Sequence, residues 1–312
     1  MTNAEGLVIA VIGPPHDPQA ARVEDALKQR GEPTLFLDAT AFPESLRMTL
    51  SPDGWHINER AAPSIRAAYI RATGGNPLSP RHEAELAVRP RGVVAQCAEK
   101  RAFLRGWLNH LEANGCVLVN TPEANDQHQE KPRQLGLLER ANLPVPPWIA
   151  TNDPAVVQAF AHEHPLVYKP LAGGATVHAV TPEDLDDERL EALALAPVLF
   201  QRRIDGLALR AYVVGGVVVA AVAIHSEAID YRGNETAVEA ITLTDAESEI
   251  AVRAAAACGM AFSGVDIIRD AEGRPWLLEC NPSPMFAAIE DATGVRVAEP
   301  LAEYLAATAR HA

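Results

Sequence analysis

Cysteine is scarce and scattered in this sequence. The four thiols, Cys97, Cys116, Cys258 and Cys280, form no CxxC pair and stand at no metal-ligand spacing from a histidine. Each lies in or beside an apolar stretch, which predicts buried thiols in a reducing compartment and argues against a disulfide framework or a zinc site. Long apolar runs are also missing. The first one, Leu7 to Gly13, is far too short to span a bilayer and has no basic segment before it. The expectation is a cytoplasmic protein with no membrane partner. Positive charge is in deficit as well: 27 Lys and Arg face 41 Asp and Glu, a net charge of −14. A generic nucleic-acid binder needs clustered cations to displace counterions, so that class is set aside. A small cationic pocket inside an acidic shell stays open. No low-complexity tract is present, and 48% hydrophobic residues suffice for a folded core.

The 312 residues allow about two or three compact units. Leu7 to Ile12 reads as a buried parallel strand ended by Gly13-Pro14-Pro15, taken as strand-end punctuation rather than a phosphate loop. A helix over 18–30 and strands at Thr34–Leu37 and Ala67–Ile70 continue an alternating rhythm, which predicts a small α/β domain over residues 1–120. A long helix is expected over 93–114, then a strand at Cys116–Val119, a turn at Asn120-Thr121-Pro122, and a helix over 128–141. From Pro165 the texture turns β-rich, with strands at Leu166–Lys169, Val198–Gln201, Leu209–Val214 and Val217–Ile224. Gly215-Gly216 between the last two is a two-residue hairpin signal. Asp245 opens a helix over 246–258, and a second hairpin joins Val265–Arg269 to Trp276–Asn281.

That second hairpin carries the chemistry. Residues two apart on a strand share a face, so Glu279 and Asn281 point the same way. A turn centred near Glu272-Gly273 sets Asp266 across from Glu279. Two carboxylates and an amide oxygen then converge, an oxygen-only set that suits Mg²⁺ (or Mn²⁺) together with waters and phosphates. Lys169 ends the strand Leu-Val-Tyr-Lys just before Gly173-Gly174, an arrangement able to hold phosphate oxygens. Arg210 opens the Arg-Ala-Tyr-Val-Val run and Arg232 follows Asp230-Tyr231; an Arg fork suits a phosphoryl group or a carboxylate.

In order, the chain carries Lys131, VYKP, AGGATV, FQRRIDG, LRAYVVGG, GVDIIRD and LLECNPSP. Over roughly residues 120–310 this order and spacing resemble the ATP-grasp superfamily, in the branch of the ribosomal-protein glutamate ligases. PWIATNDPAVVQAF, AIHSEAIDYR and AAYIRA are similar to the microviridin-type graspetide maturases of that branch. The resemblance implies an α/β ATP-grasp fold: an N-terminal pre-ATP-grasp domain (1–120), a central lobe (121–200) and a C-terminal lobe with the metal site (201–312). It implies that Lys131 and Lys169 contact ATP phosphates under a loop holding Gly173 and Gly174. Gln201, Arg202 and Ile204 would meet adenine, and Asp205 the ribose. Arg210 would stabilise the transferred phosphoryl group, with Arg232 and Asn234 near the acyl-phosphate end. Asp266, Glu279 and Asn281 would hold Mg²⁺. Ile224-His225 stands where glutamate ligases of the branch carry a basic residue.

The implied activity is an ADP-forming carboxylate–amine or carboxylate–hydroxyl ligase working through an acyl phosphate on a peptide. Alternatives are a ligase of small carboxylates or of glutamate, a small-molecule kinase, and a nucleotide-binding regulator without catalysis. The resemblance leaves a homodimer open.

Overall fold

The computed structural model describes residues 7–172, 176–226 and 236–311. The chain divides into two compact units, Met1–Pro122 with Ala298–Ala312, and Glu123–Val297.

In the first unit the β-branched run forms strand β1 (Val8–Ile12), and Asp17 caps helix α1 (Pro18–Gln29), its Oδ1 accepting from the amides of Gln19 and Ala20 at 2.9 Å. Strand β2 (Thr34–Leu37) follows. Three short strands, β3 (Met48–Ser51), β4 (Gly54–Ile57) and β5 (Arg60–Ala61), make an antiparallel meander that the sequence reading did not contain. Strand β6 (Ile65–Ile70), helices α2 (Glu83–Val88) and α3 (Pro90–Ala113) and strand β7 (Val117–Val119) complete the run. The main sheet is parallel, in the order β2-β1-β6-β7. Its core includes Ile12, Ile65, Leu104 and Trp107, with Trp55 of the meander 5.2 Å from Trp107 between ring centroids.

The second unit begins within α4 (Pro122–Asp126), which α5 (Lys131–Arg140) follows. Strand β8 (Trp148–Thr151), helix α6 (Pro154–Glu163), β9 (Leu166–Lys169), β10 (His178–Ala179), α7 (Asp187–Leu190) and β11 (Val198–Arg202) build an antiparallel sheet ordered β10-β9-β11-β8. A second antiparallel sheet holds β12 (Gly206–Val214), β13 (Val217–His225), β14 (Ala237–Ala240), β15 (Phe262–Asp270) and β16 (Pro275–Asn281), ordered β14-β13-β12-β15-β16. Gly215 and Gly216 turn β12 into β13 with φ of +56° and +82°, the backbone region that a side chain disfavours. Gly206 is required for another reason: a Cβ there would stand 2.2 Å from the Arg269 carbonyl oxygen. Helix α8 (Asp245–Ala257) packs on β12, β13, β15 and β16. Its cap is Thr244 rather than Asp245, in a capping box with Glu247.

Helix α9 (Ala287–Thr293) precedes helix α10 (Ala298–His311). The C-terminal lobe expected over residues 201–312 stops short of α10, which belongs with the first unit. Ala298, Leu301, Ala302, Leu305 and Ala306 form its buried stripe, and it packs on α1, β1 and β6. All four cysteines are buried and unbridged. No helix among the described residues is long and apolar enough to cross a membrane.

Candidate active site

Strand register builds the centre of the second unit. Arg210 on β12 pairs with Asp266 on β15, which pairs in turn with Glu279 on β16. Directly opposed residues of an antiparallel sheet share a face, so the three side chains form one transverse row. The next row is Tyr212, Gly264 and Asn281. Gly264 has no side chain because Pro284 lies over it: a Cβ would stand 2.7 Å from Pro284 Cβ. The Asn281-Pro-Ser turn is closed by the Ser283 amide donating to Asn281 Oδ1 at 3.0 Å, and Tyr212 Oη donates to the Met285 carbonyl at 2.8 Å. Burial, offset in part by Arg210, pushes the Tyr212 phenol up to about 12, so it serves as a hydrogen-bond donor.

The route to this register contains an irregularity. Ile267 pairs with Leu277 while Asp266 pairs with Glu279, which leaves Leu278 as an extra residue on β16. The pair nearest the turn is Arg269 with Pro275, so the turn centres on Glu272. A regular ladder from there would set Asp266 opposite Leu278 and send Glu279 to the other face. The β-bulge restores the carboxylate pair.

The charges are closely matched. Arg210 clasps Asp266 through two bonds, Nε to Oδ1 at 2.8 Å and Nη2 to Oδ2 at 2.9 Å, and both side chains are nearly buried. Lys131 Nζ donates to Glu279 Oε2 at 2.7 Å. Burial alone would raise the Glu279 pKa. The Lys131 and Lys169 charges and the Lys131 hydrogen bond outweigh it and hold the value at about 2, so Glu279 is anionic near neutrality. Lys169 is itself buried, at the end of β9. Three cations (Lys131, Lys169, Arg210) against two carboxylates leave a local charge of 3 − 2 = +1, inside a chain of net charge −14. That is the electrostatic setting for a polyphosphate.

The remaining sequence-derived residues distribute unevenly. Gln201 is buried on β11, with Nε2 donating to the Pro146 carbonyl at 3.4 Å. Arg202 donates its amide to the Pro147 carbonyl at 2.8 Å and lays its guanidinium 5.5 Å from the centroid of the Trp276 ring. Ile204 follows β11, half-buried. Asp205 is exposed, its carboxylate accepting from Arg203 Nε at 2.7 Å. Gly173, Gly174, Arg232 and Asn234 lie outside the described residues. His225 faces away from the centre: Val222 pairs with Arg210 and shares its face, so His225, three residues on, lies on the opposite one. There its Nε2 sits 3.0 Å from Glu239 Oε1.

Among the described residues, His, Cys, Asp and Glu side chains form no group of three able to hold a metal. Two carboxylates and one amide oxygen make instead an open, all-oxygen set. That set, with Glu279 ionised, fits Mg²⁺ bound jointly with phosphates and water. Two contributors escaped sequence reading. Tyr212 had a signal, two residues from Arg210 on one strand. Gln134 had a weaker one, three residues from Lys131 on one helix.

The RimK-like ATP-grasp domain model matches residues 128–305. A probable alpha-L-glutamate ligase 2 from Shewanella amazonensis is 35% identical over 211 residues, 64% of this chain and 70% of that protein. Among solved structures, the ATP-grasp ligase PsnB complexed with a phosphomimetic variant of its minimal precursor, Mg and ADP superposes with a TM-score of 0.89 at 31% identity. That match covers 97% of this chain and 99% of PsnB. PsnB complexed with precursor peptide PsnA2 and AMPPNP gives a TM-score of 0.85 at 31% identity, covering 99% of each chain. Strand register, charge arrangement and these matches agree, and the chain belongs to the RimK-like ATP-grasp family as a ligase.

Proposed function

We propose that this ligase activates a side-chain carboxylate of a peptide as an acyl phosphate and joins it to an amine or hydroxyl, forming an ω-amide or ω-ester. The observation that carries the chemistry is the row Arg210–Asp266–Glu279 with Lys131 and Lys169 beside it. A free carboxylate is a poor acyl donor at neutral pH. Transfer of the γ-phosphoryl group to it releases ADP, and attack of the nucleophile then releases phosphate. Such a sequence asks the protein for positioning and charge neutralisation rather than covalent catalysis. In this reading Lys131 and Lys169 hold phosphate oxygens, and Arg210 faces the phosphoryl group in transfer. Asp266, Glu279 and Asn281 hold Mg²⁺, whose contribution is to neutralise phosphate charge. Gln201, Arg202 and Ile204 line the base, with Gly173, Gly174 and Arg232 proposed for loop closure and the acyl-phosphate end.

The peptide part is supported by the extent of the likeness to PsnB, a protein solved with its precursor peptide. The test is mass spectrometry of candidate precursor peptides incubated with enzyme, ATP and Mg²⁺, with nucleotides followed in the same samples. Loss of water from a peptide in step with ADP supports the proposal. Gain of an amino acid supports a glutamate-ligase activity, the second reading, which the 35% identity to a probable alpha-L-glutamate ligase favours. A phosphorylated product without ligation would sink both.

A further inference from the structure

Strand β16 is the edge of its sheet, so half of its backbone groups look outward, away from β15. Two outside anchors satisfy them near the bulge. The Leu277 amide donates to the Pro144 carbonyl at 2.9 Å. At Cys280 the partner is a side chain: the Cys280 amide donates to Gln134 Oε1 at 2.9 Å, and Gln134 Nε2 donates to the Cys280 carbonyl at 2.8 Å. One buried primary amide thus makes the two bonds that a neighbouring strand would make. Cys280 stands between Glu279 and Asn281, and the bulge residue Leu278 lies between the two anchors.

Lys131 and Gln134 stand three residues apart on α5, and Gln127 precedes them in a short 3₁₀ turn, Gln127–Gln129. Gln127 Nε2 donates to the Cys258 carbonyl at 2.8 Å, Lys131 to Glu279, and Gln134 to Cys280. Helix α5 therefore carries both the cation on Glu279 and the clamp on the residue after it.

We propose that Gln134 is a positioning residue for the metal-binding strand, and that its double bond to Cys280 holds the bulge at Leu278 so that Glu279 and Asn281 stay on the site face. The proposal rests on the assignment of Asp266, Glu279 and Asn281 to Mg²⁺ above. Slippage out of the bulge would set Leu278 opposite Asp266 and carry Glu279 toward the apolar face that now holds Leu277 and Cys280. Both polar atoms of the Gln134 side chain bond to the Cys280 backbone, so its loss acts through β16.

The experiment compares the full-length wild type with Gln134→Ala and Gln134→Glu. ADP binding is titrated calorimetrically with and without Mg²⁺, and amide hydrogen exchange is followed on β16. Gln134→Glu keeps length and the acceptor for the Cys280 amide but turns the donor into an oxygen facing the Cys280 carbonyl, so it breaks one half of the clamp without leaving a cavity and serves as the second variant if Gln134→Ala does not fold. The expected result is a loss of about 10–100-fold in Mg²⁺-dependent ADP affinity. Metal-free ADP affinity should hold within about twofold, while exchange at Cys280 accelerates. Mg²⁺-dependent affinity within about twofold of wild type, with unchanged exchange at Cys280, would overturn the proposal. Loss of folding in both variants would overturn it as well, since the amide would then serve the whole unit. A wild type whose ADP binding ignores Mg²⁺ would sink the metal assignment instead, and the exchange data would still decide the clamp.

Discussion

One five-stranded sheet carries two guanidinium–carboxylate pairs, one on each face. On the face covered by α8, Arg269 donates to Glu247 through Nε at 2.6 Å and Nη2 at 2.7 Å, and Glu247 also accepts from the Thr244 amide at 2.9 Å. On the other face Arg210 clasps Asp266 with similar geometry. Yet the two pairs are not equivalent. Glu247 spends its carboxylate on one arginine and on the cap of the helix that carries it, so that pair is closed on itself. Asp266 has a second carboxylate directly opposite, held ionised by two lysines. Removing a charge from the first pair is expected to harm the fold, and removing one from the second is expected to harm the proposed chemistry. Removing one partner of a buried pair is destabilising because it leaves the other charge uncompensated; like charges brought together by register are costly unless a cation joins them.

Substitutions on the two faces should therefore separate activity from stability. The largest effect is expected from Glu279→Ala, which should lower ligase turnover on the order of 100-fold or more while the fold persists. Retained turnover, measured as ADP formed per minute, would remove the distinction between the faces. Lys169→Ala should weaken nucleotide affinity by about 10–100-fold, the loss of one charge-assisted hydrogen bond. Equilibrium dialysis with ATP tests it, and an unchanged affinity excludes the phosphate role.

On the opposite face Glu247→Gln should cost about 3 kcal/mol of unfolding free energy, at the low end for a broken buried pair because Arg269 is partly exposed. Activity per folded molecule should stay within about twofold. The pH dependence has a definite sign. Burial raises the Glu247 pKa, but Arg269 and the Thr244 cap outweigh it, so the folded value lies below the ordinary 4.5. Its stabilisation is present above 4.5 and disappears as pH falls through the folded value. Urea titrations at descending pH should show wild type and variant converging; a constant gap would mean that Glu247 acts by packing. A smaller effect is expected from Tyr212→Phe, about 1–2 kcal/mol, since the hydroxyl's bonds to the Met285 carbonyl and to Arg210 are lost. A collapse of turnover in that variant would draw the phenol into the chemistry.

Much of the site was legible because strands and tight turns are local. Two adjacent glycines flanked by β-branched runs predict the hairpin of β12 and β13, and both adopt the positive φ that the turn demands. Glu279 and Asn281 share a face because strand periodicity is two. The pairing of Asp266 with Glu279 was also anticipated, but through a turn centred half a residue too late. The structure turns at Glu272 and regains the pair through a bulge, a feature with no sequence signature here. The two compensate from this pair outward, at Asp266–Glu279, Val265–Cys280 and Gly264–Asn281, and not between the bulge and the turn. Asp205 was matched by motif to a ribose role, and the structure pairs its carboxylate with Arg203.

The sequence by itself determined the local grammar: where strands alternate, where helices are capped, which residues sit two or four apart on one face, and which acids and cations are available. Only the tertiary structure decided their partners. Lys131 meets Glu279 across 148 residues and Gln134 meets Cys280 across 146. The apolar stripe of α10 said that one face is buried, while packing chose α1, β1 and β6 as its neighbours. The physical reason is common to all three. Periodicity and propensity act over a few residues along the chain, whereas burial, register and charge pairing are settled between segments that the sequence keeps far apart.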